Sequence, residues 1–327
     1  MLALQVRRCR YASAVLCRPP QPACSGRQCS LRGNVRVQVP AGIRDASRQL
    51  GPVLSAAVMF TIADISGKLA LTSGADVLSL LSSRSVVGIG LVFVWLRLGE
   101  PAPALSVNAR WVSLALGLLL TANMFGLFKA IELIPVSIAI LTYFIYPLLT
   151  GILGAMTGID RLTVTGAATA LVALFGLALI IGANPAGLAA AGILAAAIGA
   201  LCRAAILLIT RAALKGADAR LVTWYTLWSS TPVFVMLSIL TFSWHWPHGA
   251  AGWVAFLSIG ITTTIGIFAL YVSAQGIGPF RTALFMNLEP LMTSALGAIV
   301  LGERMTPLQV FGGITMIAAL CFFQIRR

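Results

Sequence analysis

The sequence predicts an all-α polytopic membrane protein, with ten transmembrane helices arranged as two inverted five-helix repeats. Composition is the first reason. Of 327 residues, 59% are hydrophobic and only 10% charged, with a mean hydropathy of +0.94, whereas soluble domains are about a quarter charged. The second reason is a set of ten apolar runs, each near the roughly 20 residues a helix needs to cross a hydrocarbon core. The third is an internal repeat. A shift of 143 residues superposes Leu141 on Leu284, Pro147-Leu148 on Pro290-Leu291 and Thr150 on Thr293. It also superposes Leu153-Gly154-Ala155 on Leu296-Gly297-Ala298, Arg161 on Arg304 and Thr163 on Thr306, with Asp160 opposite Glu303. A proline-interrupted apolar segment that occurs once per half marks two copies of one unit. In membranes that architecture characterises secondary transporters.

The runs cover 52–71, 77–97, 111–131, 135–156 and 163–182 in the first half. In the second half they cover 188–210, 221–242, 251–274, 281–301 and 307–325. The first repeat is therefore assigned to residues 51–182 and the second to 188–325. Gly158-Ile159-Asp160-Arg161 and Ala183-Asn184-Pro185-Ala186 read as tight turns, which make sequential helices antiparallel neighbours. The Gly- and Ala-rich stretch from Gly187 to Ala200 allows close helix approach, where lipid supplies no hydrophobic drive. Trp95, Trp111, Trp244, Trp246 and Trp253 lie at run ends and read as interfacial anchors.

Residues 1–50 form a basic N-terminal tail with nine arginines, no lysine, one acid (Asp45) and four prolines. No apolar run there is long enough for a signal-peptide core. The composition fits a disordered tail, an organellar transit peptide, or residues added by an upstream start, and the fold is expected to begin near Gly51. Beyond the tail, the bases sort by side. Arg97, Arg110, Arg161, Arg211, Lys215, Arg220, Arg281, Arg326 and Arg327 fall on one face, against Lys68, Lys129 and Arg304 on the other. By the positive-inside rule both termini are cytoplasmic, in a multi-pass protein of the cell inner (plasma) membrane. Five helices per unit then make the second copy run opposite to the first.

Charge also excludes functions. A net charge of +14 invites nucleic acid, but the bases form no basic face with interleaved aromatics. Cys9, Cys17, Cys24 and Cys29 have no neighbouring histidines and no convincing zinc spacing. His245 and His248 share an aromatic loop with Trp244 and Trp246. No metal site and no cofactor is expected. A nucleotide-binding Gly-x-x-x-x-Gly-Lys loop is absent from the sequence.

The expected partners are the lipid bilayer, a small-molecule substrate and, as coupling ion, protons. Pro147 and Pro290 lie inside their runs and are expected to kink them. Each would leave the carbonyl four residues back, of Tyr143 and Met286, without its helical partner. Glu289, about 12 Å into its run at 1.5 Å per residue, is the one acid deep in the second half. An ionisable group at that depth usually faces a wet cavity. Asp64 and Lys68 share a face of the first helix, and with Arg84 they could hold an anionic group or form a closed salt-bridge cluster. Asn123, Tyr143, Tyr146, Tyr271, Asn287 and Gln275 complete the candidate lining, each equally readable as a packing residue. Arg203 is deep and carries no assignment.

The run Leu288-Glu289-Pro290-Leu291 through Leu301-Gly302-Glu303-Arg304-Met305-Thr306 resembles the second-repeat signature of the EamA family, part of the drug/metabolite transporter superfamily. Residues 139–163 are similar to the first-repeat signature, with Gly158-Ile159-Asp160-Arg161 where Gly-Glu-Arg is commoner. Lys68 and Arg84 also look like family positions. The resemblance, over residues 51–325, implies ten helices, a central cavity between the halves and movement of amino acids or related small metabolites, often outward. No His-Asp, His-Glu or acidic metal motif lies within the apolar runs, so no enzyme activity is expected. A lipid-modifying membrane enzyme and a non-transporting scaffold are the competing readings.

Overall fold

The structure, a computed structural model, describes residues 41–181, 189–242, 244–300 and 306–325. The tail up to residue 40, the Ala183–Ala186 turn, the signature stretch with Glu303 and Arg304, and Arg326 and Arg327 lie outside the described residues.

All regular structure among the described residues is helical. The first half holds α1 (Ala41–Thr72), α2 (Val77–Leu98), α3 (Val107–Leu133), α4 (Val136–Tyr143), α5 (Tyr146–Met156) and α6 (Val164–Ile181). The second holds α7 (Ala190–Ala213), α8 (Ala219–Leu240), α9 (Gly249–Gly276), α10 (Pro279–Phe285), α11 (Leu288–Val300) and α12 (Pro307–Ile325). Seven described segments are long and apolar enough to cross a membrane: 49–72, 77–98, 107–133, 138–156, 190–213, 249–276 and 307–325.

Side chains in the connections start several helices. Asp76 accepts from the Leu78 amide at 3.0 Å ahead of α2, and Ser106 accepts from the Ala109 amide at 3.2 Å ahead of α3. Thr306 and Gln309 form a reciprocal capping box at α12, where Thr306 N donates to Gln309 Oε1 at 2.8 Å and Gln309 N to Thr306 Oγ1 at 3.3 Å. Pro307, at the first position of α12, has no amide hydrogen to lose.

Two expectations are corrected. Helix α1 begins at Ala41, ten residues before Gly51, although its apolar span starts only at Gln49. The runs 135–156 and 281–301 are not single kinked helices but pairs, broken at Phe144-Ile145 and at Met286-Asn287. The breaks precede the prolines. Pro147 is the second residue of α5 and Pro290 the third of α11, positions whose amides have no helical acceptor anyway. Proline there costs no hydrogen bond. The Met286 carbonyl, expected to lose its partner, accepts from the Glu289 amide at 3.0 Å.

Packing runs between the halves more than within them. Helix α1 packs on α9 and α3 on α7; α2 meets α8 and α9, and α3 also meets α8. Helix α6 packs on α12, α1 also on α11, and α4 and α5 also on α7. Glycine makes the closest of these contacts possible. A Cβ built on Gly176 would lie 2.7 Å from the Gly312 carbonyl oxygen, and one on Gly312 would lie 2.6 Å from that of Gly176. The α6–α12 contact is therefore backbone against backbone, as small residues allow in lipid. The main buried cluster, with Tyr143, Tyr146, Leu207, Leu270, Phe280 and Met286, is drawn from both halves and surrounds the two helix breaks. Large apolar side chains such as Leu118, Phe125, Phe175 and Leu194 point outward, as a lipid-facing surface requires.

Candidate functional site

Glu289 occupies the first turn of α11, immediately after the break. A carboxylate there lies at the positive end of the helix dipole. The sequence placed it mid-helix, but the break converts that position into a helix start. Thr61 of α1 donates to the Glu289 carbonyl at 3.4 Å.

Four ionisable side chains from four helices form a chain of charges around this point. Arg84 on α2 interacts electrostatically with Asp64 on α1, Asp64 with Glu289 on α11, and Glu289 with Arg203 on α7. Asp64 also accepts from Thr293 Oγ1 at 2.9 Å. Its side chain is exposed, about two turns from the end of α1. Thr293 of α11 and Arg84 of α2 are its neighbours on the bundle side. Lys68, the expected partner one turn further along α1, is likewise exposed.

Arg203 is the residue that sequence reasoning could not assign, and it proves to be the hub. It is 5% exposed. Its guanidinium lies 5.5 Å from the Phe60 ring and 5.8 Å from the Tyr146 ring, and its Nε has no hydrogen-bond partner among the described residues. Four predicted site residues, Tyr143, Tyr146, Tyr271 and Glu289, fall within its electrostatic reach. The only signal in the sequence was a lone arginine far from either end of an apolar run.

The predicted polar lining divides. Asn123 is fully buried and donates to Tyr143 Oη at 3.1 Å and to the Gly199 carbonyl at 2.7 Å. This pair ties α3, α4 and α7 together. Tyr146 donates to the Ala283 carbonyl at 3.5 Å, joining the two broken segments, and Tyr271 donates to Thr226 Oγ1 at 3.3 Å. Asn287 donates to the Leu284 carbonyl at 3.1 Å while its Oδ1, buried beside the break, is unpartnered among the described residues. Gln275 lies apart, in a shallow cleft with Trp95 and Arg220. Beside Arg84 the packing leaves a gap of about 10 Å³, at most one water. No group of three or more His, Cys, Asp or Glu suited to a metal occurs among the described residues. Lys129 pairs with Glu132 at 2.9 Å on the surface, and Arg211 donates to the carbonyls of Gln275 and Gly276.

Comparison with known proteins bears on what such a bundle does. Residues 190–324 match the model of the EamA-like transporter family. The chain is 26% identical over 246 residues to the uncharacterized transporter YxxF of Bacillus subtilis (strain 168), an alignment covering 72% of this chain and 77% of that protein. One crystal structure shares the fold with a TM-score of 0.72 at 19% identity, over 86% of this chain and 99% of the solved one. The apolar spans and these matches agree, and the chain is a multi-pass membrane protein whose second half is similar to the EamA-like transporter family.

Proposed function

We propose that this protein is a secondary transporter that crosses the membrane ten times in two inverted repeats and exports amino acids or related small metabolites. Access would alternate at a midplane site, with protons as coupling ion and both termini in the cytoplasm. The observation that carries this reading is the Arg84–Asp64–Glu289–Arg203 chain. Two cations and two anions, from helices of both halves, converge at a break in the helical backbone. Charges inside a bilayer are costly and persist chiefly where they serve a pathway.

The helix contacts support the inverted repeat. When α1–α6 are exchanged with α7–α12 in order, the α1–α9 contact becomes α7–α3, α2–α9 becomes α8–α3, and α1–α11 becomes α7–α5. Each of these contacts occurs, and α2–α8 and α6–α12 map onto themselves. A pseudo-two-fold relation between the halves accounts for that pattern, and with five crossings in each half its axis would lie in the membrane plane. A site holding both charge signs suits a zwitterion or an amphoteric metabolite.

The test is efflux of a substrate panel from cells expressing the chain, alongside Glu289→Gln at equal membrane levels. Efflux of an amino acid or amphoteric metabolite is expected, with its rate or pH dependence strongly changed in the variant. An unaltered rate and pH profile would reduce Glu289 to a structural hydrogen-bonding partner. No efflux of any compound, together with altered membrane lipids, would favour the lipid-modifying enzyme instead.

A further inference from the structure

A second charged cavity lies at the end of the bundle where α1 begins. Gln49 and Pro52 of α1, Asp160 of the turn after α5, Arg211 of α7, Ser273 of α9 and Arg281 of α10 are among its walls. Its volume is about 490 Å³, within the range of small-metabolite sites. None of Asp64, Arg84, Arg203 or Glu289 contributes to it.

Its charges are poorly balanced. Arg281 is 7% exposed. Its Nη2 donates to Gln324 Oε1 at 2.9 Å, a neutral acceptor, and its Nε has no partner among the described residues. Among the described residues Arg211 likewise reaches only backbone carbonyls. Asp160 is the one acid among the described residues of the wall, and backbone amides donate to both its carboxylate oxygens. Oδ2 accepts from Phe280 N at 3.1 Å and Oδ1 from Arg161 N at 2.9 Å. Neither guanidinium forms an ion pair among the described residues. A buried guanidinium without a counter-charge keeps most of its desolvation cost, and an orphaned N–H adds to it. An oxyanion in the cavity would remove both.

We propose that this cavity is an anion-binding site, separate from the central charges, which takes a phosphate or carboxylate group on Arg281 with Arg211 beside it. The planar fork of Arg281 suits such a group, since arginine binds oxyanions through two parallel N–H donors. The source is either a soluble metabolite or the headgroup of an anionic lipid. The inference is independent of the transport reading, because it concerns binding alone.

The test uses the full chain purified into phosphatidylcholine nanodiscs. Thermal unfolding is followed against inorganic phosphate, with chloride at matched ionic strength, and again with phosphatidylglycerol in the disc. A saturable rise in the midpoint with phosphate is expected. Arg281→Gln should weaken the apparent affinity by at least about tenfold, while Arg203→Gln retains the response. A rise with phosphatidylglycerol alone, lost in Arg281→Gln, assigns the same site to a lipid headgroup. Should Arg281→Gln not give monodisperse protein, the comparison is read in Arg211→Gln. No response of the wild type to either anion, or a response that both substitutions leave intact, overturns the proposal.

Discussion

Replacing Arg203 by glutamine tests whether the central charges act as a unit. The substitution removes two cation–π contacts, at 5.5 Å and 5.8 Å from the rings of Phe60 and Tyr146. Each is worth about 0.5–1 kcal/mol when wet and about 2 when desolvated. At 5% exposure the upper part of that range applies, so the two contacts account for about 2–4 kcal/mol. The change also leaves Glu289 with Asp64, a like charge, as its remaining charged neighbour among the described residues. Glu289→Gln made alone leaves Arg203, 5% exposed, without the acid in its electrostatic reach, and an uncompensated buried charge is costly. Made in the Arg203→Gln background it relieves the repulsion, so it should cost less there. The expected coupling is about 1–3 kcal/mol, read from reversible unfolding of wild type, both single variants and the double variant in mixed micelles. Additive effects, with coupling below about 0.5 kcal/mol, would mean that the two groups do not sense each other, and the charge-chain argument would fail.

Three further outcomes are expected. Asp218 caps α8 through the Arg220 amide at 2.9 Å and pairs with the Arg220 side chain at 2.7 Å; this hydrogen bond holds its carboxyl below the ordinary value of 3.8. Its stabilisation is therefore present above that value and lost as pH falls through the lower folded one, so Asp218→Ala should cost about 0.5–2 kcal/mol at neutral pH. The difference should vanish in strong acid, and a difference in unfolding midpoint that persists there would refute the capping argument. Gly117→Ala would place a methyl 1.9 Å from Ser229 Oγ and 2.2 Å from the Thr226 carbonyl oxygen, forcing α3 away from α8. A loss of about 1–3 kcal/mol is expected, and a wild-type midpoint would contradict this packing. Reporter fusions at Arg327 and within the 243–250 loop should report opposite sides of the membrane, the former cytoplasmic, and a shared side would sink the ten-crossing topology.

The helix positions were legible because lipid imposes a strong rule: a crossing segment must be apolar and must satisfy its own backbone. Each described helix falls on an apolar run, from α2 against 77–97 to α12 against 307–325. The prolines were also legible as breakers, but their effect was placed wrongly by a few residues. The helix ends before Pro147 and Pro290 and restarts with each proline in its first turn, because the missing amide hydrogen is free of cost only there. Glu289 was found from its depth, and its position at a helix start followed only from the break.

By itself, the sequence determined the membrane environment, the apolar helical segments, the repeat and the resemblance to EamA transporters. All of these depend on composition and on short-range pattern. The tertiary structure decided the partners. Asn123 and Tyr143 are 20 residues apart and read as two separate lining candidates, yet they bond to one another. Arg203 looked like an isolated base until packing set it over Phe60 and Tyr146 and in reach of Glu289. Arg281 read as one more cytoplasmic arginine until the fold buried it in a cavity. Pairing of charges and polar groups depends on which helix faces which, and in this bundle each half packs mainly on the other. The separations involved, such as 229 residues between Asp64 and Thr293, leave no trace in any local pattern.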